Sequence, residues 1–450
     1  MGSLALPQAH PPPLLARCVA PSQPAAREDY PGPMASVEQR SGTGADPVTP
    51  LDIERAAELI SAEVRETPVL PAGELSRRIG APVVLKAECL QLTGSFKVRG
   101  VFHKMRRLAR DKLEAGVVAA SAGNHAQAVA LAAERLGARA DLFMPISAPL
   151  AKVAAVRSYG GEVHLVEGTY DEAAAEARAF ADREERVLVP PFDDPDIVAG
   201  QGSVGLEVAR QAPATRLVVV PLGGGGLASG VAIAIKSKIP DAQVVGVQSE
   251  ACAPYVESLV AHRPIGTRSA STICDGIAVK RPGDLTLPLV ERHLDGIVTV
   301  SDDEVAEAMV LLLERSKLVV EGAGAAGVAA LLARRLEPGP GGETCAILSG
   351  GNVDASRLAE CIRLGETAAG RRIVLWTVVP DRPGALAALL RIVAEQGANV
   401  VEVEHIREGV ELHVRETAIQ LVLQTDGPED SAEILEAVRA EGFSARLEQR

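Results

Sequence analysis

Thr93-Gly94-Ser95-Phe96-Lys97-Val98-Arg99-Gly100 is the stretch whose reading decides the fold. A strand-like apolar run, Pro82 to Leu85, comes before it. After it, Val98 to Arg110 carries Val101, Met105 and Leu108 at helical spacing. A lysine at a strand-to-helix switch lies in the crevice where α/β folds bind their ligands. Desolvation there disfavours the ammonium and leaves a free amine able to attack a carbonyl. Most lysines in a first helical turn are merely solvated, so the reading rests on the neighbours. Thr93 and Ser95 offer hydroxyls, Gly94 allows a sharp turn, and Phe96 can pack beneath the site.

Working outward, apolar runs alternate with alanine-rich helical ones. The strand candidates are Val117–Ala120, Ala140–Met144, Glu162–Val166, Val187–Val189, Leu217–Val220, Val244–Val247, Gly296–Val300 and Cys345–Leu348. Helical patterns run over Pro50–Val64 with Thr49 as N-cap, His125–Leu136, Tyr170–Asp182 and Ser203–Arg210. This order implies an α/β fold of parallel sheets covered by helices on both faces.

Three loops punctuate it. Ser121-Ala122-Gly123-Asn124-His125 follows a strand and opens a helix, where bare amides favour an anion such as a substrate carboxylate. Leu222-Gly223-Gly224-Gly225-Gly226-Leu227 puts four consecutive glycines between a strand and a helix, which is costly for a mere turn. Curled amides before a helix start make a phosphate cradle. No Gly-Lys-Ser/Thr follows, and the spacing is not that of a dinucleotide fingerprint, so a monophosphate fits best. Ser349-Gly350-Gly351-Asn352 follows the last of these strands and by itself reads as a β-turn.

The chain has 450 residues, enough for two or three domains, and a formal charge of −13, which argues against a general nucleic-acid binder. Six scattered cysteines without C-x-x-C spacing suit neither a disulfide framework nor a zinc site and point to a reducing cytosol. No run is long and apolar enough to span a membrane, and no secretory signal pattern opens the chain. Residues 1–47 hold nine of the thirty prolines and read as a disordered extension, or as upstream sequence if Met34 is the true start.

The rhythm changes after Cys361. Leu364–Gly370 reads as a linker between a unit over residues 48–365 and one over 371–450. Beyond it, strand Arg372–Val379, helix Gly384–Gln396, strands Asn399–Ile406 and Glu411–Thr425, helix Ser431–Ala440 and strand Ser444–Glu448 give a ferredoxin-like βαββαβ order.

The Thr93–Gly100 run, together with the three loops in this order, resembles the fold-type II pyridoxal-phosphate enzymes of the threonine and serine dehydratase family. Pro191-Phe192-Asp193-Asp194-Pro195, Gly200-Gln201-Gly202, Thr272–Val279 and Glu321-Gly322-Ala323-Gly324-Ala325 also resemble family segments, so the likeness spans roughly Thr49 to Arg363. It implies pyridoxal 5′-phosphate held covalently by Lys97. It also implies Phe96, Asn124, Gly223–Gly226, Leu227, Glu321 and Ser349 around the cofactor, with Ser95, Ser121, Ala122, Gly123 and His125 around an amino-acid substrate. Ser349 would face the pyridine nitrogen, and a hydroxyl there favours loss of a β-substituent over transamination. The implied reaction is β-elimination from L-threonine, and from L-serine, as the first step of isoleucine synthesis. A serine racemase on the same scaffold and a non-catalytic amino-acid sensor stand as alternatives. Racemising members carry a serine at the position of Ala122. Metal-binding members carry acids where Gln248 and Pro254 stand, so no metal is implied.

Asp381-Arg382-Pro383-Gly384-Ala385-Leu386 and Gly397-Ala398-Asn399-Val400 resemble an ACT domain, an amino-acid-binding regulatory module. That resemblance implies an effector such as isoleucine at Asp381, Gly384, Leu386 and Asn399, between two ACT domains of a dimer or tetramer.

Overall fold

The computed structural model describes residues 35–36, 46–268, 271–408 and 412–448. Most of the expected N-terminal extension, Met34 and Glu411 therefore lie outside the described residues. The strands are β1 Ala35–Ser36, β2 Val69–Pro71, β3 Val83–Lys86, β4 Val117–Ala120, β5 Ala140–Pro145, β6 Glu162–Val166 and β7 Val187–Leu188. They continue as β8 Thr215–Pro221, β9 Gln243–Ser249, β10 Gly296–Val300, β11 Glu343–Ile347, β12 Arg372–Pro380, β13 Asn399–Ile406, β14 Glu416–Gln424 and β15 Ser444–Leu447.

Two parallel sheets carry residues up to 350. The larger runs β1-β10-β9-β8-β11-β3-β2 and is parallel except at its two edge strands, β1 and β2. The smaller, β6-β5-β4-β7, is parallel throughout. β4 and β8 are buried along nearly their whole length, as strands covered on both faces must be. The pairing of β1 with β10, and the contact of Asp46 with Arg292 and His293, correct the expectation that everything up to residue 47 is disordered.

Glycines hid one helix from sequence periodicity. Ser203–Arg210 is only the end of a helix spanning Pro195–Gln211, capped by Asp194. Its Gly200 lies against the helix Lys97–Arg106: a Cβ there would stand 2.6 Å from Gly100 Cα and 2.7 Å from Arg99 O. The two helices cross at backbone distance, and Lys104 Nζ closes the far end on Asp194 Oδ2 at 2.7 Å. The Lys97 helix stops at Arg106, and a separate helix, Arg110–Ala115, follows.

The expected linker is another correction. Leu364 to Ala368 belong to a helix, Ala355–Ala368, whose Cys361 is buried in the core of the larger sheet. Gly370, at φ +67°, is the left-handed residue that ends it: its N–H donates to Thr367 O and the next, of Arg371, to Glu366 O. That double bond is a Schellman motif, so the glycine that read as a linker boundary is a helix terminator. The connection shrinks to residues 369–371. Beyond it β13-β14-β12-β15 form an antiparallel sheet in the order of the split βαβ unit, with helices Ala385–Glu395 and Pro428–Ala440 packed on it.

Because Gly200 meets backbone atoms that cannot rotate away, Gly200→Ala should cost about 1–3 kcal/mol. A thermal melt checks this: a midpoint equal to the parent's would show that the helix crossing tolerates a methyl group.

Candidate active site

A short antiparallel clip places Lys97. Phe96 N–H donates to Ser349 O at 3.1 Å and Gly351 N–H to Gly94 O at 2.9 Å, with Ser95 bridged to Gly350. The chain enters the clip through two left-handed residues, Thr93 at φ 55° and Gly94 at φ +72°. The first is strained for a β-branched side chain. Asn352 holds it there, its Nδ2 donating to Thr93 O at 2.6 Å and to Asn124 Oδ1 at 2.7 Å.

Lys97 then begins its helix with Nζ donating to Pro191 O at 2.9 Å and standing 5.1 Å from the Phe96 ring centroid. Burial pushes its amine down to about 8, although Glu321 pulls the other way. Such an amine is partly unprotonated at neutral pH.

The glycine loop is packed too closely for side chains. A Cβ on Gly223 would lie 2.9 Å from Ile277 Cα, and one on Gly224 would enter the Phe192 ring. One on Gly225, which has φ +92°, would collide with Tyr255 Oη. Gly224 O accepts from Thr286 Oγ1 at 2.7 Å and Tyr255 Oη at 3.1 Å, which turns the loop's amides the other way. The N–H groups of Gly223 to Leu227 have no acceptor among the described residues, and the helix Gly226–Lys238 begins behind them. Unspent amides at a helix start, in a loop too tightly packed for any Cβ, are a donor set that fits a phosphate monoester. Neither Tyr255, Thr286 nor Phe192's packing was legible in sequence, since each lies 30 or more residues from the glycines it touches.

At the opposite loop, Gly123 N–H donates to Ser121 Oγ at 3.1 Å, so two residues expected to hold a carboxylate are partly spent on each other. The N–H groups of Ala122, Asn124 and His125 have no acceptor among the described residues. His125 offers only that backbone group. Its ring is buried with Nε2 donating to Val189 O at 2.9 Å, and burial, aided by Lys97, pushes its pKa down to about 3. The ring is thus neutral, and its Nδ1 has no partner among the described residues. Asn124 Nδ2 donates to Glu321 Oε1 at 2.8 Å. Glu321 is buried, and that burial, helped by Asp275, pushes its carboxyl up to about 7 against the pull of Lys152, Asn124 and Lys97. Ser349 is buried, and its backbone is part of the clip.

Gln248 is committed elsewhere: its Nε2 donates to Leu222 O at 3.2 Å and its Oε1 accepts Tyr255 N–H at 3.1 Å. Asp141, Glu162 and His164 bring possible metal ligands together, but Arg186 already pairs with Asp141. Cys274 is buried, and burial pushes its thiol up to about 12, so it is no nucleophile.

In the C-terminal sheet the four residues expected at an effector site between two ACT domains do not all meet within a single chain. Asn399 pairs with Gln424 at one end of β14, whereas Pro380, next to Asp381, pairs with Glu416 at the other. At the rise of an antiparallel strand those ends are roughly 27 Å apart. Asp381, Gly384 and Leu386 do share one end, with Asp381 ion-paired to Arg407 and Gly384 at φ +87° before its helix. Asn399 is not with them.

The sequence profile described as pyridoxal-phosphate dependent enzyme matches residues 60–350, and that of the ACT domain matches residues 374–440. The chain belongs to the pyridoxal-phosphate dependent enzymes and carries a C-terminal ACT domain. It is similar to an L-threonine ammonia-lyase of Thermotoga maritima, 43% identical over 400 residues, 89% of this chain and 99% of that protein. Its fold is similar to the processed form of threonine deaminase isoform 2 from Solanum lycopersicum, at TM-score 0.68 and 33% identity over 75% of this chain and 98% of that one. It is also similar to maize serine racemase, at TM-score 0.67 and 32% identity over 70% and 97%.

Glu321 gives a pH prediction. Its folded pKa, about 7, lies above the 4.5 of an ordinary glutamate, so the folded state keeps a proton that the unfolded chain loses. Its contribution to stability therefore falls as pH rises through that window, and above it the buried carboxylate costs up to about 3 kcal/mol. In protein stripped of cofactor, Glu321→Gln should raise the melting midpoint at pH 8 and do little near pH 4.5. An equal effect at both would refute the buried-carboxylate reading.

Proposed function

We propose that this enzyme deaminates L-threonine to 2-oxobutanoate and ammonia by β-elimination, and L-serine to pyruvate, in the cytoplasm. The observation that carries the reading is the Lys97 amine. It is held at a helix start by the clip, depressed to about 8, bonded to Pro191 O beside the Phe192 that packs on the glycine loop, and near enough to His125 of the amide loop to act on its pKa. The names of the Thermotoga maritima and Solanum lycopersicum relatives agree with this activity, while that of the maize relative is a racemase. Among the described residues no helix is long and apolar enough to cross a membrane.

When bound, pyridoxal phosphate supplies the carbonyl that Lys97 engages and the electron sink that acidifies the substrate Cα. Gly223 to Leu227 would hold its phosphate, and Phe96, Asn124, Glu321 and Ser349 would contact its ring. The free amides of Ala122, Asn124 and His125, with the Ser121 hydroxyl and Ser95, fix the carboxylate and so orient the Cα proton toward Lys97. Lys97, released as a free amine, takes that proton as general base. Glu321, protonated below about 7, presents a neutral acid rather than a second negative charge. Where racemising members carry a serine this chain has Ala122, whose methyl group cannot move a proton, and this favours elimination over racemisation.

The C-terminal domain is proposed to sense isoleucine as the end product of a biosynthetic route. β13 is an edge strand with Val401 and Val403 exposed. A second copy paired antiparallel along it would bring that copy's Asn399 to the Asp381–Leu386 end. An effector bound there must favour the less active state, with a coupling of roughly 1–3 kcal/mol.

A ketoacid assay tests both points. L-Threonine should yield 2-oxobutanoate, and L-serine should yield pyruvate with little D-serine. Isoleucine should inhibit the full chain but not one cut after Arg371, where the motif that ends the helix is complete and β12 has not begun. No ketoacid from either substrate, or D-serine as the main product, would overturn the catalytic reading. Indifference of the full chain to isoleucine would overturn the regulatory one.

A further inference from the structure

A second lysine overlooks the amide loop. The helix Leu150–Ser158 follows β5 in the smaller sheet, and its Lys152 reaches back over Gly123. A Cβ built on Gly123 would have Lys152 Cδ at 3.7 Å and Nζ at 3.9 Å as its nearest neighbours. The same Nζ donates to Asp275 Oδ2 at 2.6 Å. Asp275 opens the short helical turn Asp275–Ile277, whose Ile277 packs on Gly223 of the phosphate cradle. The pair therefore joins the carboxylate-side loop to the phosphate-side loop. Its lysine side chain is 11% exposed and its aspartate 58%, so the ammonium faces inward and the carboxylate faces solvent.

Charge accounting in the cleft singles out this lysine. The charged groups that act on Glu321 are Asp275, Lys152 and Lys97. Lys97 must shed its proton to act as a base, so it cannot serve as a standing cation. The loop at Ser121–Asn124 offers neutral donors only. An amino-acid substrate brings a carboxylate into this space, and Lys152 is the cation placed to meet it. Burial lowers the Lys152 pKa, but Asp275, with Asp354 and Glu321, more than reverses this and keeps the ammonium charged.

We propose that Lys152 is a substrate-binding residue that reads the α-carboxylate, with Asp275 holding its ammonium over Gly123 until the substrate takes that partner's place. This rests on the reading of the site as an amino-acid deaminase. The exchange swaps one carboxylate partner for another, so Lys152 is never left buried and unpaired, which would be costly. It also explains selectivity: a ligand lacking the carboxylate gains nothing by displacing Asp275.

The test uses the full-length holoenzyme with L-threonine as substrate and L-threoninamide as competing ligand. Losing a charge-assisted hydrogen bond should raise KM for L-threonine roughly 10- to 100-fold in Lys152→Met. The kcat should change by less than about threefold, as for a contact made equally in ground and transition states. Lys152→Arg should recover most of the affinity, and the inhibition constant of L-threoninamide should be the same in parent and Met variant. Cofactor absorbance reports whether each variant has folded, and Lys152→Gln replaces the Met variant if that one loses it. An unchanged KM, a fall confined to kcat, or equal weakening of the amide would overturn the proposal. A parent protein that forms no 2-oxobutanoate would instead fail the functional reading on which it rests.

Discussion

Arg99 is the constraint on which the placement of Lys97 depends. It lies two residues into the same helix, is fully buried, and has every donor direction used. Its Nε and Nη2 fork onto Glu88 at 2.8 Å each, and its Nη1 and Nη2 onto Glu207 at 2.6 and 2.9 Å, with Ser203 Oγ and Arg65 O completing the set. Lys86, also fully buried, joins through Glu207 Oε2 at 2.5 Å and Thr67 O at 2.6 Å. Burial alone would push the Glu88 carboxyl up, but Arg99 outweighs it and holds the group ionised below its usual range. Removing one member would strand a buried charge at a cost of about 3–5 kcal/mol. The network therefore fixes the register of the Lys97 helix against β3 and the helix Pro195–Gln211, and with it the direction in which Lys97 points.

What that anchoring positions is an alternation of charge across the cleft: Lys97, Glu321, then the Lys152–Asp275 pair. Burial pushes Lys97 down and Glu321 up, each partly pulled back by its charged neighbours, while Asp275 keeps Lys152 charged. The result is a depressed amine and a raised carboxyl close to neutrality, the condition in which protons can move without stranding a charge.

Much of this was legible in the sequence because the chemistry there is local. The Thr93–Gly100 run, the glycine cradle and the Ser121–His125 loop each lie in consecutive residues, and the βαβ rhythm placed them at strand ends. Contacts between distant segments were not legible. Asn352 was quoted in its loop but given no task, though it holds both the strained Thr93 and Asn124. Tyr255 and Thr286 brace Gly224 from elements that carry no motif. Gly200 and Gly202 broke the helical period that they serve, because close packing of this helix requires them. Gly370 read as a linker for the same local reason, and only its two backbone bonds reveal a helix end. In the ACT domain, strand order was readable but strand register was not, and register is what separates Asn399 from Asp381.

The central claim is that the Thr93–Ser349 clip delivers Lys97, and no other lysine, to the cofactor. Borohydride reduction of the holoenzyme, followed by proteolysis and mass spectrometry of the peptides, tests it most directly. The account predicts one pyridoxyl group per chain, carried by the peptide that contains Lys97. A label on Lys152 or any other lysine, with Lys97 unmodified, would contradict it.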